Sequence, residues 1–200
     1  MLDLNNHFLI AMPSMVDDDF ERSVVFIFDH GKNGAAGLVI NRSSESTVKQ
    51  MFDRMEMPLR REDLHQERVF DGGPTYTDRG FVLHESQPIF EVDIDGRQTE
   101  TQASFYASTL VIPGGLEMTT SHDVLDAIAS GAGPRVFFLA LGYASWQAGQ
   151  LEAELMRNDW LSVPANNDII FNTPVAERYK AALALLGIEE VMLSCTAGSA

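Results

Sequence analysis

The sequence has little cysteine and few basic residues. Its one cysteine, Cys195, has no partner for an internal disulfide, which excludes a disulfide-stapled fold and suits a reducing compartment. The chain carries 14 Lys and Arg against 29 Asp and Glu, a formal net charge of −15. Because cations that neutralise phosphates supply most of the affinity of a duplex-binding domain, this balance disfavours direct binding to nucleic acid and docking on anionic lipid.

Long apolar segments are also missing. The apolar run Val136 to Leu141 is far shorter than the ~20 residues of a membrane-spanning helix, and residues 1–7 lack the basic start and apolar stretch of a signal peptide. We therefore expect a cytoplasmic protein with no membrane segment. The composition, 45% hydrophobic and 22% charged over 200 residues, is typical of a globular chain, so we expect one domain over residues 1–200.

The usual motifs of catalysis and cofactor binding are absent from the sequence. The segment Gly131-Ala132-Gly133 lacks the third glycine of a dinucleotide fingerprint. The histidines show no metal-ligand spacing, and Asp17 to Asp19 lacks the glycine and glutamate of a calcium loop. Gly142 to Trp146 joins a predicted strand to a predicted helix, as a nucleophile elbow does, but it does not match Gly-x-Ser-x-Gly. We expect no catalytic residue, metal or cofactor.

Short β-branched and aromatic runs predict most of the secondary structure. They indicate strands at residues 8–12, 23–28, 35–40, 69–70, 80–84, 89–94, 110–112, 135–142 and 191–193. The turns at Gly31 to Gly34 and at Asp95-Gly96 predict two hairpins. Arg135 to Gly142 is the most apolar of these runs, so it is predicted to be the central strand, covered on both faces.

Helical patterns alternate irregularly with the strands. Amphipathic spacing and capping residues predict helices at residues 47–57, 120–131, 147–158 and 173–187, and residues 60–67 are predicted to be a loop or a frayed helix. Trp146 and Trp160 flank the third helix and are predicted to pack in the core with their indole N–H groups satisfied. Since strands and helices do not alternate strictly, the sequence predicts an α+β fold.

Three blocks of residues carry a family resemblance. The first runs from His7 to Pro13 and on through Arg22-Ser23-Val24-Val25 to Gly37–Arg42; the second joins Gly72-Gly73-Pro74 to Arg79–His84; the third runs from Leu141 through Trp146 and Gln150 to Trp160-Leu161. With this order and spacing, the chain resembles the bacterial AlgH/YqgE family, whose members are described as candidate transcriptional regulators or left uncharacterised.

The resemblance implies an α+β fold in which helices flank a mixed, partly barrel-like β-sheet, and it implies no established catalytic residue, metal or cofactor. One departure is visible. The family commonly has Gly-Tyr-Ala-Gly-Trp, and here Ser145 stands in place of the second glycine. The substitution makes a tight turn at this point doubtful, and it also makes a close approach of a ligand to the backbone there doubtful.

Two functional interpretations follow. The leading one is a binding or regulatory protein that acts through a protein partner or a small anionic ligand, without direct contact with nucleic acid. The alternative is an enzyme or ligand sensor in which His30, Arg42, Arg79 and His84 surround a small anion. A pocket that collects these four side chains would favour the ligand, and their dispersal into surface ion pairs would favour a protein partner. The oligomeric state stays open.

The candidate binding residues lie where predicted strands end, because rigid elements commonly display binding groups there. Arginine at such an end either pairs with a neighbouring carboxylate or clamps a carboxylate or phosphate of a ligand. Glycine-rich turns can add backbone N–H groups that suit an anion. The candidate set is His30, Asn41, Arg42, Gly72, Gly73, Arg79 and His84.

Overall fold

In the computed structural model the chain winds around a curled, mostly antiparallel β-sheet. The structure describes residues 3–15, 19–87, 89–92, 95, 97–101 and 104–189. Within these ranges the strands are β1 (His7–Ala11), β2 (Val24–Gly31), β3 (Gly34–Val39), β4 (Ser43–Thr47), β5 (Arg68–Asp71), β6 (Thr75–Glu85), β7 (Ile89–Val92), β8 (Gln98–Thr101), β9 (Thr109–Ile112), β10 (Leu116–Thr119), β11 (Phe137–Gln147) and β12 (Trp160–Pro164). The helices are α1 (Val48–Arg54), α2 (His122–Ser130), α3 (Gln150–Met156), α4 (Asn167–Phe171) and α5 (Arg178–Ala184), with 3-10 turns at Glu62–Leu64 and Val175–Glu177.

The main sheet has ten strands, and eight of them follow the order β12-β1-β2-β3-β11-β6-β10-β9. β11 lies in the middle, antiparallel to β3 and β6, and it also pairs in parallel with β5. The hairpin β7–β8 forms a separate small sheet. The predictions of a mixed α+β fold, a partly barrel-like sheet and a central strand at residues 135–142 are confirmed.

Alternate residues of β1, β2 and β3 enter two different cores, which is why these strands read as continuous apolar runs. On one face Phe8, Phe26 and Leu38 pack with Ile170 of α4 and Leu183 of α5. On the other face the partners of β1–β3 are Trp146, Trp160 and Leu151. A third core joins α1 and α2 to β6 and β11. The sheet is therefore flanked by helices on both faces.

Several local predictions are confirmed. The helix predicted at 47–57 is present as the shorter α1 (Val48–Arg54), which Thr47 begins through a reciprocal cap with Gln50. Gly131 ends α2 in the left-handed conformation, as predicted. The hairpins at Gly31–Gly34 and between β7 and β8 are present. The predicted loop or frayed helix at 60–67 contains only one 3-10 turn.

Other predictions need correction. The helix predicted at 147–158 is shorter, because β11 continues to Gln147 and α3 begins only after Gly149. Gly142–Trp146 is thus strand and not a strand-to-helix elbow. Ser121, not Thr120, precedes α2, and Pro174 leads into a 3-10 turn before α5. The strands β4, β10 and β12 and helix α4 were not predicted. The strand predicted at 191–193 and Cys195 lie outside the described residues.

Candidate functional site

His30 lies at the end of β2, where it fixes the N-terminal segment. Its ring is almost fully buried; Nδ1 accepts the backbone N–H of Leu4 at 3.2 Å, and Nε2 lies 3.2 Å from the Glu152 carboxylate. The backbone of His30 is bonded twice more, because the Asn5 side chain accepts its N–H and donates to its carbonyl. The contacts of His30 are therefore all internal to the fold.

Asn41 and Arg42 bind the loop that precedes β2. The Asn41 amide accepts the Val24 N–H at 2.8 Å and donates to the Arg22 carbonyl at 2.8 Å. The Arg42 guanidinium donates to the carbonyls of Asp19 and Glu21 at 2.5 and 2.9 Å. Both side chains hold backbone in place.

Gly72 and Gly73 form a tight crossing with β11. The Gly72 N–H donates to the Leu141 carbonyl at 2.8 Å, so it is not available to an anion. A Cβ on Gly73, which has φ of 143°, would lie 2.4 Å from the Ala144 nitrogen. Gly142, with φ of 71°, would place a Cβ 2.3 Å from the Gly73 oxygen. Only glycine fits at these two contacts, and the crossing joins the second and third blocks of the family resemblance.

Ser145 lies just beyond this crossing in regular strand pairing with Ala36. Its hydroxyl is 2.9 Å from that of Thr75 at the start of β6. No tight turn occurs at position 145, so the serine is accommodated without backbone strain.

Arg79 is the one arginine of the candidate set that faces an open cavity. This cavity, here called the β6 groove, has a volume of about 950 Å³. Its apolar lining residues, here called the floor, are Phe28, Met51, Met55, Phe81, Leu125 and Leu141. Its polar lining residues, here called the rim, are Asp29, Arg54, Tyr76, Thr77, Asp78, Arg79, Thr120 and His122, and Tyr143 also lines the cavity. An apolar cavity with a few convergent polar groups is the usual form of a small-molecule site.

A stack of aromatic rings supports Arg79. Its guanidinium lies 4.7 Å from the centre of the Tyr76 ring, and Tyr76 stacks on Tyr143 at 6.1 Å and 25°. Tyr143 in turn contacts Phe81 at 5.2 Å. Tyr76 has a positive φ of 51° and is 55% exposed. A bulky residue in this conformation is strained, and such strain commonly accompanies a binding or catalytic site.

The charges around the β6 groove are unusual for so acidic a chain. Among the described residues, neither Arg54 nor Arg79 forms an ion pair with a carboxylate. Arg54 ends α1, where its charge also faces the negative end of the helix. Asp29 and Asp78 balance the two arginines formally, so the groove is neutral on a chain of charge −15.

The four side chains of the alternative interpretation are therefore dispersed. His30, Arg42 and His84 lie outside the β6 groove, and only Arg79 lines it. His84 is 1% exposed and belongs to a separate polar cluster under β10. The three residues outside the groove form hydrogen bonds inside the fold more than ion pairs at the surface. Their positions therefore do not by themselves favour a protein partner.

Sequence reasoning missed Arg54, Tyr76 and His122, because nothing in their local pattern brings them together. The one available signal was Tyr76, an aromatic residue that follows Gly-Gly-Pro between polar residues, where an exposed ring could serve binding.

Sequence reasoning also missed Arg178, a buried cation that donates to the carbonyls of Ile40 and Thr173 and lies over the Phe70 ring. Burial lowers the pKa of Arg178 to about 10, so it stays charged at neutral pH.

The prediction for the two tryptophans is confirmed. Trp146 and Trp160 each donate their indole N–H to the same oxygen of Glu154 at 2.8 Å, and Phe20 packs on both rings. This arrangement fixes α3 against β11 and β12.

No group of three or more potential metal ligands occurs within the described ranges. In the same ranges, no helix is long and apolar enough to cross a membrane.

Comparison with known proteins agrees with the fold. A family model described as AlgH-like matches residues 8–191. This chain belongs to the AlgH-like family. A UPF0301 protein from Verminephrobacter eiseniae is 54% identical over 199 residues, covering 100% of this chain and 96% of the relative. Another from Albidiferax ferrireducens is 54% identical over 200 residues, covering 100% and 97%.

Two solved structures are similar to this AlgH-like chain. The solution structure of AlgH from Pseudomonas aeruginosa is 43% identical, has a TM-score of 0.76, and the match covers 98% of this chain and 96% of that one. A crystal structure from Corynebacterium diphtheriae has a TM-score of 0.67 at 19% identity, with coverage of 92% and 87%, which shows a shared fold alone.

Proposed function

We propose that this AlgH-like protein works by binding a small organic anion with an apolar body in the β6 groove. The observation that carries the proposal is the pair of arginines, Arg54 and Arg79, that line one apolar cavity without a carboxylate partner among the described residues. In a chain with 29 acidic residues, unpaired guanidinium groups at a cavity suit a ligand that brings its own negative charge.

The polar and apolar halves of the β6 groove suggest how such a ligand would lie. Its carboxylate or phosphate would meet the rim at Arg79, whose stacking on Tyr76 limits the orientations of the guanidinium and so reduces the entropy lost on binding. Its apolar body would cover Met51 and Met55, flexible side chains that adapt to different shapes.

A role in transcription would then be indirect. The net charge of −15 opposes approach to a duplex, so we propose that any regulation passes through the bound anion or through a protein partner. Fluorescence anisotropy with duplex fragments at physiological salt is expected to show no sequence-dependent binding, and submicromolar sequence-dependent binding would contradict the proposal.

The binding site can be tested with four probes followed by amide NMR. Octanoate has both an anionic head and an apolar body, acetate has only the head, octanol has only the body, and octylamine reverses the charge. We expect octanoate to shift the amides of Tyr76, Arg79 and Leu125 at lower concentration than the other three probes. Tighter binding of octylamine would assign the groove to cations held by Asp29 and Asp78, and shifts confined to residues outside the groove would refute the site.

A further inference from the structure

Four aromatic rings that line the β6 groove contact one another. Tyr143 lies at their centre, with its ring centroid 5.2 Å from that of Phe81 and 6.2 Å from that of Phe28. Tyr76 stacks on Tyr143 at 6.1 Å. These four residues, here called the aromatic wall, all line the cavity. Because they come from β2, β6 and β11, the wall is assembled by the tertiary structure.

The glycine crossing holds Tyr143 in the aromatic wall. Gly142 precedes it with φ of 71°, and a Cβ on Gly142 would lie 2.3 Å from the Gly73 oxygen. The register of β11 against β6 shifts at the same point, between Leu141 and Tyr143. Irregular pairing of this kind is common next to functional sites, where it aims a side chain.

Helices supply other apolar groups of the same groove. Met51 lies on α1, Met55 follows the last turn of α1, and Leu125 lies on α2. The Met51 methyl group reaches β6, since it lies 3.3 Å from the position that a Cβ on Gly80 would take. Thioether groups make favourable contacts with aromatic rings, often at the ring edge. A flat ring in the groove would therefore meet both aromatic carbon and methionine sulfur.

One cation of the groove lies directly beside the aromatic wall. The Arg79 guanidinium is 4.7 Å from the centre of the Tyr76 ring, and Tyr76 is itself a member of the wall. An anionic group bound at Arg79 would therefore lie next to aromatic rings. This arrangement suits a ligand whose carboxylate or phosphate is attached to a ring more than one whose charge ends a long chain.

We propose that the ligand of the β6 groove is a planar aromatic anion. This inference rests on the proposed function and adds the ring to it. Aromatic rings prefer offset or edge-to-face contacts, which are favourable beyond the burial of their apolar area. Phe28 and Phe81 are tilted by 54° and 51° against Tyr143, and a ligand ring would extend this packing. The cavity volume of about 950 Å³ is ample for two fused rings.

Two acids that share one carbon skeleton test the ring separately from the charge. Naphthoate is flat and aromatic, and decahydronaphthoate is its saturated counterpart with the same charge. The saturated acid has more apolar surface, so burial of that surface alone would favour it. We expect calorimetry to show that naphthoate binds about three- to tenfold more tightly. Since only naphthoate has a ring current, only naphthoate should strongly shift the NMR signals of the Met51 and Met55 methyl groups.

The outcomes distinguish this inference from the anion site on which it rests. If both acids bind in the groove with equal affinity, or the saturated acid binds more tightly, the anion site stands and the aromatic class is wrong. If neither acid binds, the anion site and the aromatic class are both wrong.

Three leucine variants test whether the aromatic wall causes the preference. Tyr143→Leu keeps an apolar side chain but removes the central ring, so the preference for naphthoate should be lost. Phe28→Leu removes a ring that contacts Tyr143 and should reduce the preference, which provides a second test if Tyr143→Leu does not fold. Phe171→Leu is the matched control, because Phe171 is a half-buried aromatic residue outside the groove, and it should keep the full preference. A preference that is unchanged in the folded wall variants would overturn the proposal.

Discussion

Replacing Gly73 with alanine should lower the free energy of unfolding more than the same change at a glycine that also has a positive φ but has open space where the new Cβ would lie. Gly73 has φ of 143°, a region that L residues rarely adopt, and this alone costs of order 1–3 kcal/mol. The new Cβ would also lie 2.4 Å from backbone atoms of Tyr143 and Ala144. Those atoms belong to the central strand and cannot move freely, so overpacking adds roughly 1–3 kcal/mol.

The sum for Gly73→Ala is a loss of roughly 2–6 kcal/mol, a large share of the ~5–15 kcal/mol that stabilises an ordinary domain. Two controls divide the sum into its parts. Gly149 has φ of 79° and nothing within 4 Å of its would-be Cβ, so alanine there costs only about 1–2 kcal/mol. Gly31 has neither problem, and alanine there should be neutral or slightly stabilising.

Urea denaturation of the three variants measures these differences directly. The expected order of unfolding free energy is Gly31→Ala highest, Gly149→Ala next and Gly73→Ala lowest. If Gly73→Ala were no less stable than Gly149→Ala, the close crossing of the Gly72–Gly73 turn and β11 would not exist as described.

Three further changes test other parts of the structure. Leu139→Ala removes a side chain that is 3% exposed in the central strand, so the unfolding free energy should fall by about 2–5 kcal/mol; a denaturation midpoint equal to that of the parent would contradict the buried position. Glu154→Ala leaves two indole N–H groups without their acceptor and should lower the unfolding free energy by about 1–3 kcal/mol. Glu154→Gln keeps an acceptor oxygen and should lower it less. Equal losses in the two variants would mean that the negative charge matters more than the acceptor. Burial alone would raise the pKa of Asp123, but hydrogen bonds from Ser121 and the amides of Ala107 and Val124 lower it below 3.8. A carboxyl with a lowered folded-state pKa stabilises the fold above its ordinary value and loses that contribution as pH falls through the lower one. Stability measured below about pH 4 should therefore fall less steeply in Asp123→Asn than in the parent, with Asp126→Asn as the exposed control on the same helix.

The elements that the sequence predicts well are those with a strong local pattern. β1, β2, β3 and β11 are continuous apolar runs because both faces are covered, and α1 begins with a reciprocal cap. The missed elements carry weak patterns. β4 is a run of serine, glutamate and threonine (Ser43–Thr47), and its pairing with β5 comes from the tertiary structure.

The candidate site was harder to predict than the fold. Arg79 was chosen because it was predicted to open a strand at 80–84, but β6 begins at Thr75, so Arg79 lies inside the strand. The side chains that join it in the β6 groove come from α1, α2, β2 and β11. Such long-range convergence leaves no trace in local spacing. His30 and Arg42 sit at similar strand ends, yet their polar atoms bind other parts of the chain: backbone groups and, for Nε2 of His30, the Glu152 carboxylate. Position at a strand end therefore does not distinguish a residue that binds a ligand from one that binds the chain itself.

The most direct test of the β6 groove is the dissociation constant of octanoate measured by calorimetry for the parent and three arginine variants. Arg54→Ala and Arg79→Ala should each weaken binding about tenfold or more, as expected for loss of a charge-assisted hydrogen bond, with the melting temperature nearly unchanged. Arg135→Ala, at an exposed position outside the groove, should bind as the parent does. Equal affinity in all four proteins would contradict the assignment of this groove to an organic anion.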